Sequence, residues 1–142
     1  MRHGVSLPEL AASLALIGLV LALAGPKLAG ALDRIAVRRA AAEVTTAIAV
    51  TRHRAIAQGS RTRLVIRHDS LYVDSLGVPG WGRWRAFPGP AAHGVGLSVS
   101  NPVITFSPSG IAWGFSNTKV VLRRGSHSET ITTSRVGRVK RW

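Results

Sequence analysis

Residues 5–25 read VSLPELAASLALIGLVLALAG, an apolar run broken by a single charge, Glu9. A helix rises about 1.5 Å per residue, so about 20 apolar residues cross the hydrocarbon core of a bilayer. Arg2 stands before the run, and Lys27, Arg34, Arg38 and Arg39 stand after it. A chain that begins this way either keeps the run in a membrane or loses it on export. Ala22-Leu23-Ala24 matches the small-residue pattern of an export cleavage site. Glu9 argues the other way. The apolar core of an export signal carries no carboxylate, and a charge at the centre of a membrane helix costs about 2.5–3.5 kcal/mol, so its presence there points to a function. From the residues alone three readings stand: a retained helix with a working carboxylate, a cleaved secretory signal, and a plain anchor.

Beyond the run, about 80–110 residues remain, enough for one modest core. The chain has no cysteine, which excludes disulfides and thiolate metal sites, so the folded part is held by packing alone. Its 19 Lys and Arg face 6 Asp and Glu, a net charge of +13. Such a surface attracts polyanions: DNA, acidic lipid or acidic proteins. A GC-rich gene accounts for arginine outnumbering lysine, but not for the shortage of acids.

The patterning predicts a helix in two parts and then strands. Gly25-Pro26 is expected to interrupt the helix, because proline removes a hydrogen bond and bends the axis. The helix then resumes to about Gln58, with Gly59 as its stop. Val37, Ala41, Val44, Ile48 and Ala55 recur at helical spacing and form one apolar stripe for a sheet to pack on. Arg34, Arg38, Arg52 and Arg54 fall largely off it. Residues 61–68 and 71–74 read as a hairpin around Asp69-Ser70. Residues 77–90, dense in Gly, Pro and Trp, read as loop. Residues 95–99, 103–106, 119–124, 128–133 and 136–141 read as strands, with a turn at Pro108-Ser109-Gly110. The predicted class is α+β: a long N-terminal helix, transmembrane in its first half and amphipathic in its second, packed on a C-terminal antiparallel β-rich head.

Gly4-Val5-Ser6-Leu7-Pro8-Glu9-Leu10 resembles the class III leader of type IV pilins and type II secretion pseudopilins. The resemblance extends to the GspH/FimT branch through Arg54-Ala55-Ile56-Ala57-Gln58-Gly59, Arg63-Leu64-Val65-Ile66, Phe106-Ser107-Pro108-Ser109-Gly110 and Val136-Gly137-Arg138-Val139-Lys140. It implies a pilin-like fold and a minor pilin or pseudopilin that assembles or caps a type IV pilus or secretion pseudopilus. It implies that a prepilin peptidase cleaves after Gly4 and N-methylates Val5, and that Glu9 sets filament register by pairing with the N-terminal amine of a neighbouring subunit. Val5 stands where phenylalanine is usual, which changes the methylated side chain and not the cleavage. The implied organisation is a leader at 1–4, a transmembrane helix at 5–25, an amphipathic helix at 26–59 and a periplasmic β-rich head at 60–142. The protein is then single-pass in the inner membrane, with other pilins or pseudopilins as partners, or extracellular at a filament tip.

Nothing in the chain asks for an enzyme, a cofactor or a metal. His3, His53, His68, His93 and His127 are scattered without ligand spacing. Neighbours in His127-Ser128-Glu129 point to opposite faces of a strand and cannot form a catalytic relay. The alternative function is DNA binding. Arg135, Arg138, Lys140 and Arg141 lie in an acid-free tail ending at Trp142. Arg138 and Lys140 share a face of a strand, and an exposed tryptophan can stack on a base. The resemblance adds a FimT-like role in DNA uptake during natural transformation, through a Gly-Arg-x-Arg element here written Gly137-Arg138-Val139-Lys140. Lysine at 140 keeps the charge and loses the planar fork of arginine. Trp81 and Trp84, with Arg83 and Arg85 beside them, either stand exposed and stack on bases or a partner or tuck in and cap the sheet, and the cap is the expectation.

Overall fold

The computed structural model describes residues 6–114 and 117–142. One helix, α1, runs over Leu7–Gln58. Pro8 sits in its first turn, where a missing N–H costs little. Gly59, at φ +60°, ends it in the left-handed conformation that glycine adopts most readily. The expected interruption at Gly25-Pro26 does not occur: the helix continues through both residues. A single proline removes one hydrogen bond, and the alanines and leucines on either side are strong helix formers that carry the helix past it.

The chain divides into two units, one ending at Leu32 and one spanning Asp33–Trp142. In the first, Leu10, Leu14 and Ile17 on one side of the helix and Leu16, Leu19 and Leu23 on the other are all exposed, so apolar side chains stand open on opposite sides. It is long and apolar enough to cross a membrane.

In the second unit the helix is amphipathic. Val37, Ala41, Val44, Ile48 and Ala55 are buried, joined by Ala36, Ala40 and Ala47. Thr51 is buried as well, and its hydroxyl donates to the Ala47 carbonyl at 2.6 Å, so it costs the core no unpaired group.

Among the described residues, nine strands form two antiparallel sheets: β1 Thr62–Ile66, β2 Ser70–Leu76, β3 Trp81–Pro88, β4 Gly96–Val99, β5 Val103–Phe106, β6 Ala112–Trp113, β7 Thr118–Arg124, β8 His127–Thr133 and β9 Val139–Arg141. The first sheet has the order β3-β2-β1-β5-β6, the second β4-β7-β8-β9. Inward residues alternate along the strands. Leu64, Ile66, Leu71, Val73, Ile104 and Phe106 from the first sheet join Val120, Leu122 and Ile131 from the second and the helix stripe in one core. Burying each large side chain contributes about 1.5–3 kcal/mol.

The chain passes from one sheet to the other through a short 3-10 turn, Pro90–His93. This crossing is stitched to the β1–β2 turn by main-chain bonds: Gly89 N–H to the Asp69 carbonyl at 3.0 Å and Ala91 N–H to the His68 carbonyl at 2.9 Å. A Cβ on Gly89 would lie 2.5 Å from both the Asp69 carbonyl carbon and the His68 oxygen. His68 Nε2 also lies 3.1 Å from the Val95 carbonyl oxygen.

Residues 77–90 are not loop; most of the segment is β3. Pro88 and Gly82 are tolerated because β3 is an edge strand, with no further neighbour to receive an N–H. Its pairing with β2 slips between Val73 and Asp74, which oppose Arg85 and Arg83, so Trp84 is the extra residue of a bulge. Trp81 and Trp84 are 39% and 41% exposed and stand outside the buried core, the Trp84 ring 4.4 Å from the Arg54 guanidinium on α1 and the Trp81 ring 4.5 Å from that of Arg63. The strand expected at 136–141 is shorter, Val139–Arg141, because the chain turns at residues 135–136.

Candidate functional site

Two regions carry the residues singled out by sequence. Gly4 and Val5 lie outside the described residues. Glu9 occupies the first turn of α1, exposed, with its main-chain carbonyl accepting from the Ser13 hydroxyl at 2.8 Å. A carboxylate there complements the partial positive charge at a helix N-terminus.

The second region is the basic end of the chain. Gly137, at φ +73°, closes a turn in which the Gly137 amide donates to the Ser134 carbonyl at 2.9 Å, the Ser134 amide to the Arg138 carbonyl at 2.9 Å and the Arg138 amide to the Ser134 hydroxyl at 3.2 Å. A Cβ on Gly137 would stand 3.1 Å from the Gly110 carbonyl oxygen, and one on Gly110 would meet Ile56 at 2.8 Å. The helix end, the Phe106–Gly110 turn and the Gly137 turn therefore touch. Both glycines hold a positive φ, +75° at Gly110 and +73° at Gly137, a conformation that side chains disfavour, and the second leads directly into Arg138.

β9 then adds to the edge of the second sheet. The register sets Lys140 opposite Thr132, which faces Lys119 on β7. Arg138, Lys140 and Lys119 line one open hollow of about 420 Å³. Lys119 was not legible in the sequence as a member of this group, because strand register alone brings it there. Trp142 is 68% exposed. Its backbone exchanges two hydrogen bonds with Thr130, at 3.0 and 3.3 Å, and Lys140 Nζ sits 3.6 Å from its ring centroid.

The other two tail residues stand apart. Arg135 is exposed in the turn, where its carbonyl accepts from the Ala112 amide at 3.0 Å. Arg141 donates to Glu129 Oε1 at 2.6 Å. The tail has no acid in sequence, yet the fold supplies one from β8. The structure thus brings together Arg138, Lys140 and Trp142, adds Lys119, and commits Arg141 elsewhere.

Among the described residues no three His, Asp or Glu side chains converge on a point where a metal could sit.

The model of the family described as type II transport protein GspH matches residues 40–137. No curated protein matches the chain in sequence. Two solved structures share its fold. The type IV minor pilin FimU of Pseudomonas aeruginosa aligns with a TM-score of 0.64 and 15% identity, over 76% of this chain and 89% of that one. The minor pseudopilin EpsH of the Vibrio cholerae type 2 secretion system aligns with a TM-score of 0.62 and 14% identity, over 75% of this chain and 95% of that one. With the family model matching residues 40–137, more than half of its length, and the fold shared with a minor pilin and a minor pseudopilin over about three quarters of the chain, the chain belongs to the GspH family.

Proposed function

We propose that this protein is a membrane-anchored minor subunit of a type IV pilus or a type II secretion pseudopilus. The observation that carries the reading is the contrast along α1. From Asp33 onward the helix buries an apolar stripe in its own core, whereas before it Leu14 and Ile17 on one side and Leu16, Leu19 and Leu23 on the other all lie open. A surface of that kind is stable in lipid or among other apolar helices, which are the two environments of a pilin helix before and after assembly. In this reading the helix crosses the inner membrane once and the β-rich part lies in the periplasm or at a filament tip. A prepilin peptidase cuts after Gly4 and methylates Val5. Glu9 meets the new amine of a neighbouring subunit, an ion pair that makes a carboxylate tolerable in a low-dielectric bundle. The role is structural, assembly with other pilins or pseudopilins. The test is mass spectrometry of the chain co-expressed with a prepilin peptidase. A mature start at N-methylated Val5 is expected, and a start at Gly25 would leave a secreted soluble protein instead.

A second reading rests on the hollow formed by Arg138, Lys140 and Lys119 beside Trp142: a DNA-binding minor pilin for DNA uptake. Three cations on one face with an exposed ring at its side suit a phosphate backbone and a base. Binding that weakens steeply with salt and loses slope when Arg138 and Lys140 are neutralised supports it. Binding indifferent to those residues leaves the structural role alone.

A further inference from the structure

The first sheet turns its inner face to the core and leaves its outer face bare. Strand register places Arg83, Asp74, Arg63, Thr105 and Trp113 in one row across all five strands. Asp74 is buried between two arginines, with Oδ2 at 3.0 Å from Arg63 Nε and Oδ1 at 3.6 Å from Arg83 Nε. Around this lock the face alternates cations and rings. Arg63 lies 4.5 Å from the centroid of Trp81, Arg61 3.9 Å from Trp113, and Arg83 3.6 Å from Tyr72.

Two features separate this face from a merely solvated one. Its charge is unbalanced, because the single carboxylate of Asp74 faces the three cations of Arg61, Arg63 and Arg83. Its groups are also held in place. Asp74 holds two of the guanidinium groups, Arg63 and Arg83, and each of the three arginines also lies over an aromatic ring. Trp81 and Trp113 remain 39% and 55% exposed. An antiparallel sheet with exposed rings between cations has the chemistry on which unpaired bases stack while arginines take the phosphates. A duplex hides its base faces and would use the cations alone.

We propose that the outer face of the five-stranded sheet binds single-stranded nucleic acid, with Arg61 and Arg83 on phosphates, Arg63 held by Asp74 between them, and Trp81 and Trp113 stacked on bases. The face lies on different strands from the C-terminal hollow, and the proposal stands whether or not that hollow binds DNA.

The test uses the full chain in uncharged detergent micelles and a fluorescent oligo(dT), with a duplex of equal length and inorganic polyphosphate as competitors. Trp81→Ala and Trp113→Ala should each weaken oligo(dT) binding by about tenfold, and Trp→Phe at either position should restore most of it. Arg61→Gln with Arg83→Gln, which spares the Arg63–Asp74 bond, should flatten the salt slope by about 0.7 for each phosphate that is no longer neutralised. Circular dichroism of each variant confirms that it is folded. Replacing Arg138 and Lys140 by Gln should leave the tryptophan effect intact. A parent chain that fails to bind oligo(dT), folded alanine variants that bind as the parent does, a preference for the duplex, or displacement by polyphosphate that is equal in parent and alanine variants each overturns the proposal. The last result would identify a surface for polyanions at large, acidic proteins included.

Discussion

Arg141 Nε donates to Glu129 Oε1 at 2.6 Å, across the β8–β9 edge of the second sheet. Glu129 is the acid that the fold brings to the basic tail. It holds Arg141 on the side of β9 away from Lys140, since neighbouring residues on a strand point to opposite faces.

This pairing separates residues that look equivalent in sequence. Arg138→Gln and Lys140→Gln should each reduce the salt slope of duplex DNA binding by about 0.9, the counterion release of one neutralised phosphate. Arg141→Gln should change it little. Glu129→Gln should steepen the slope by freeing a cation. Fluorescence anisotropy over a range of salt concentrations measures all four, and equal effects at 138, 140 and 141 would contradict the arrangement.

Arg124 ties three elements together. Its Nε lies 2.8 Å from Asp33 Oδ1 on α1, and its Nη1 donates to the His93 carbonyl in the crossing turn. Both side chains are partly open to water, which screens the pair. Arg124→Ala should still lower stability by about 1–2 kcal/mol, because the carbonyl loses a charged donor along with the carboxylate. Chemical denaturation followed by tryptophan fluorescence gives the number. Arg123→Ala, on the opposite face of the same strand, should cost under about 0.5 kcal/mol.

Gly89→Ala should be among the most damaging small substitutions in the chain. The added carbon would meet backbone atoms of Asp69 and His68 at 2.5 Å, and backbone cannot step aside as a side chain can. Overpacking of this kind costs about 1–3 kcal/mol or more. A thermal melt within experimental error of the parent would show that the turn can move.

Glu9→Ala should leave membrane insertion intact and impair entry into filaments, since the helix gains hydrophobicity and loses a partner for a neighbouring amine. Fractionation and filament pull-down distinguish the two steps. Normal incorporation of the mutant would remove any role in register.

The helix and its stripe were legible in the sequence because 3.6-residue periodicity and a terminal glycine are local signals. Val37, Ala41, Val44, Ile48 and Ala55 are all buried as the spacing demanded. The strands from 61 to 76 and from 119 to 133 were legible for the same kind of reason. β3 was not. Its Gly and Pro content carries the chemistry of a loop, and only its place at a sheet edge makes that content acceptable in a strand. The short β6 was missed because two residues give no period at all. In the tail, charge was legible and partnership was not. Nothing near Arg141 in sequence announces Glu129, and nothing near Lys140 announces Lys119, since both neighbours are assigned by register.

The joint between the sheets has a consequence for how far such a sequence can drift. At Gly89, Asp69, Ala91 and His68 the crossing is keyed to the β1–β2 turn by amides and carbonyls, which every residue type but proline supplies. Apart from His68 and Arg124, whose side chains reach carbonyls of the crossing, side chains there can be exchanged while these main-chain bonds are kept, provided that position 89 stays bare. A fold fastened in this way can keep its outline at 14–15% identity to other chains. The outward surfaces are then free to take up new charges and rings, and with them new partners, without renegotiating the architecture that displays them.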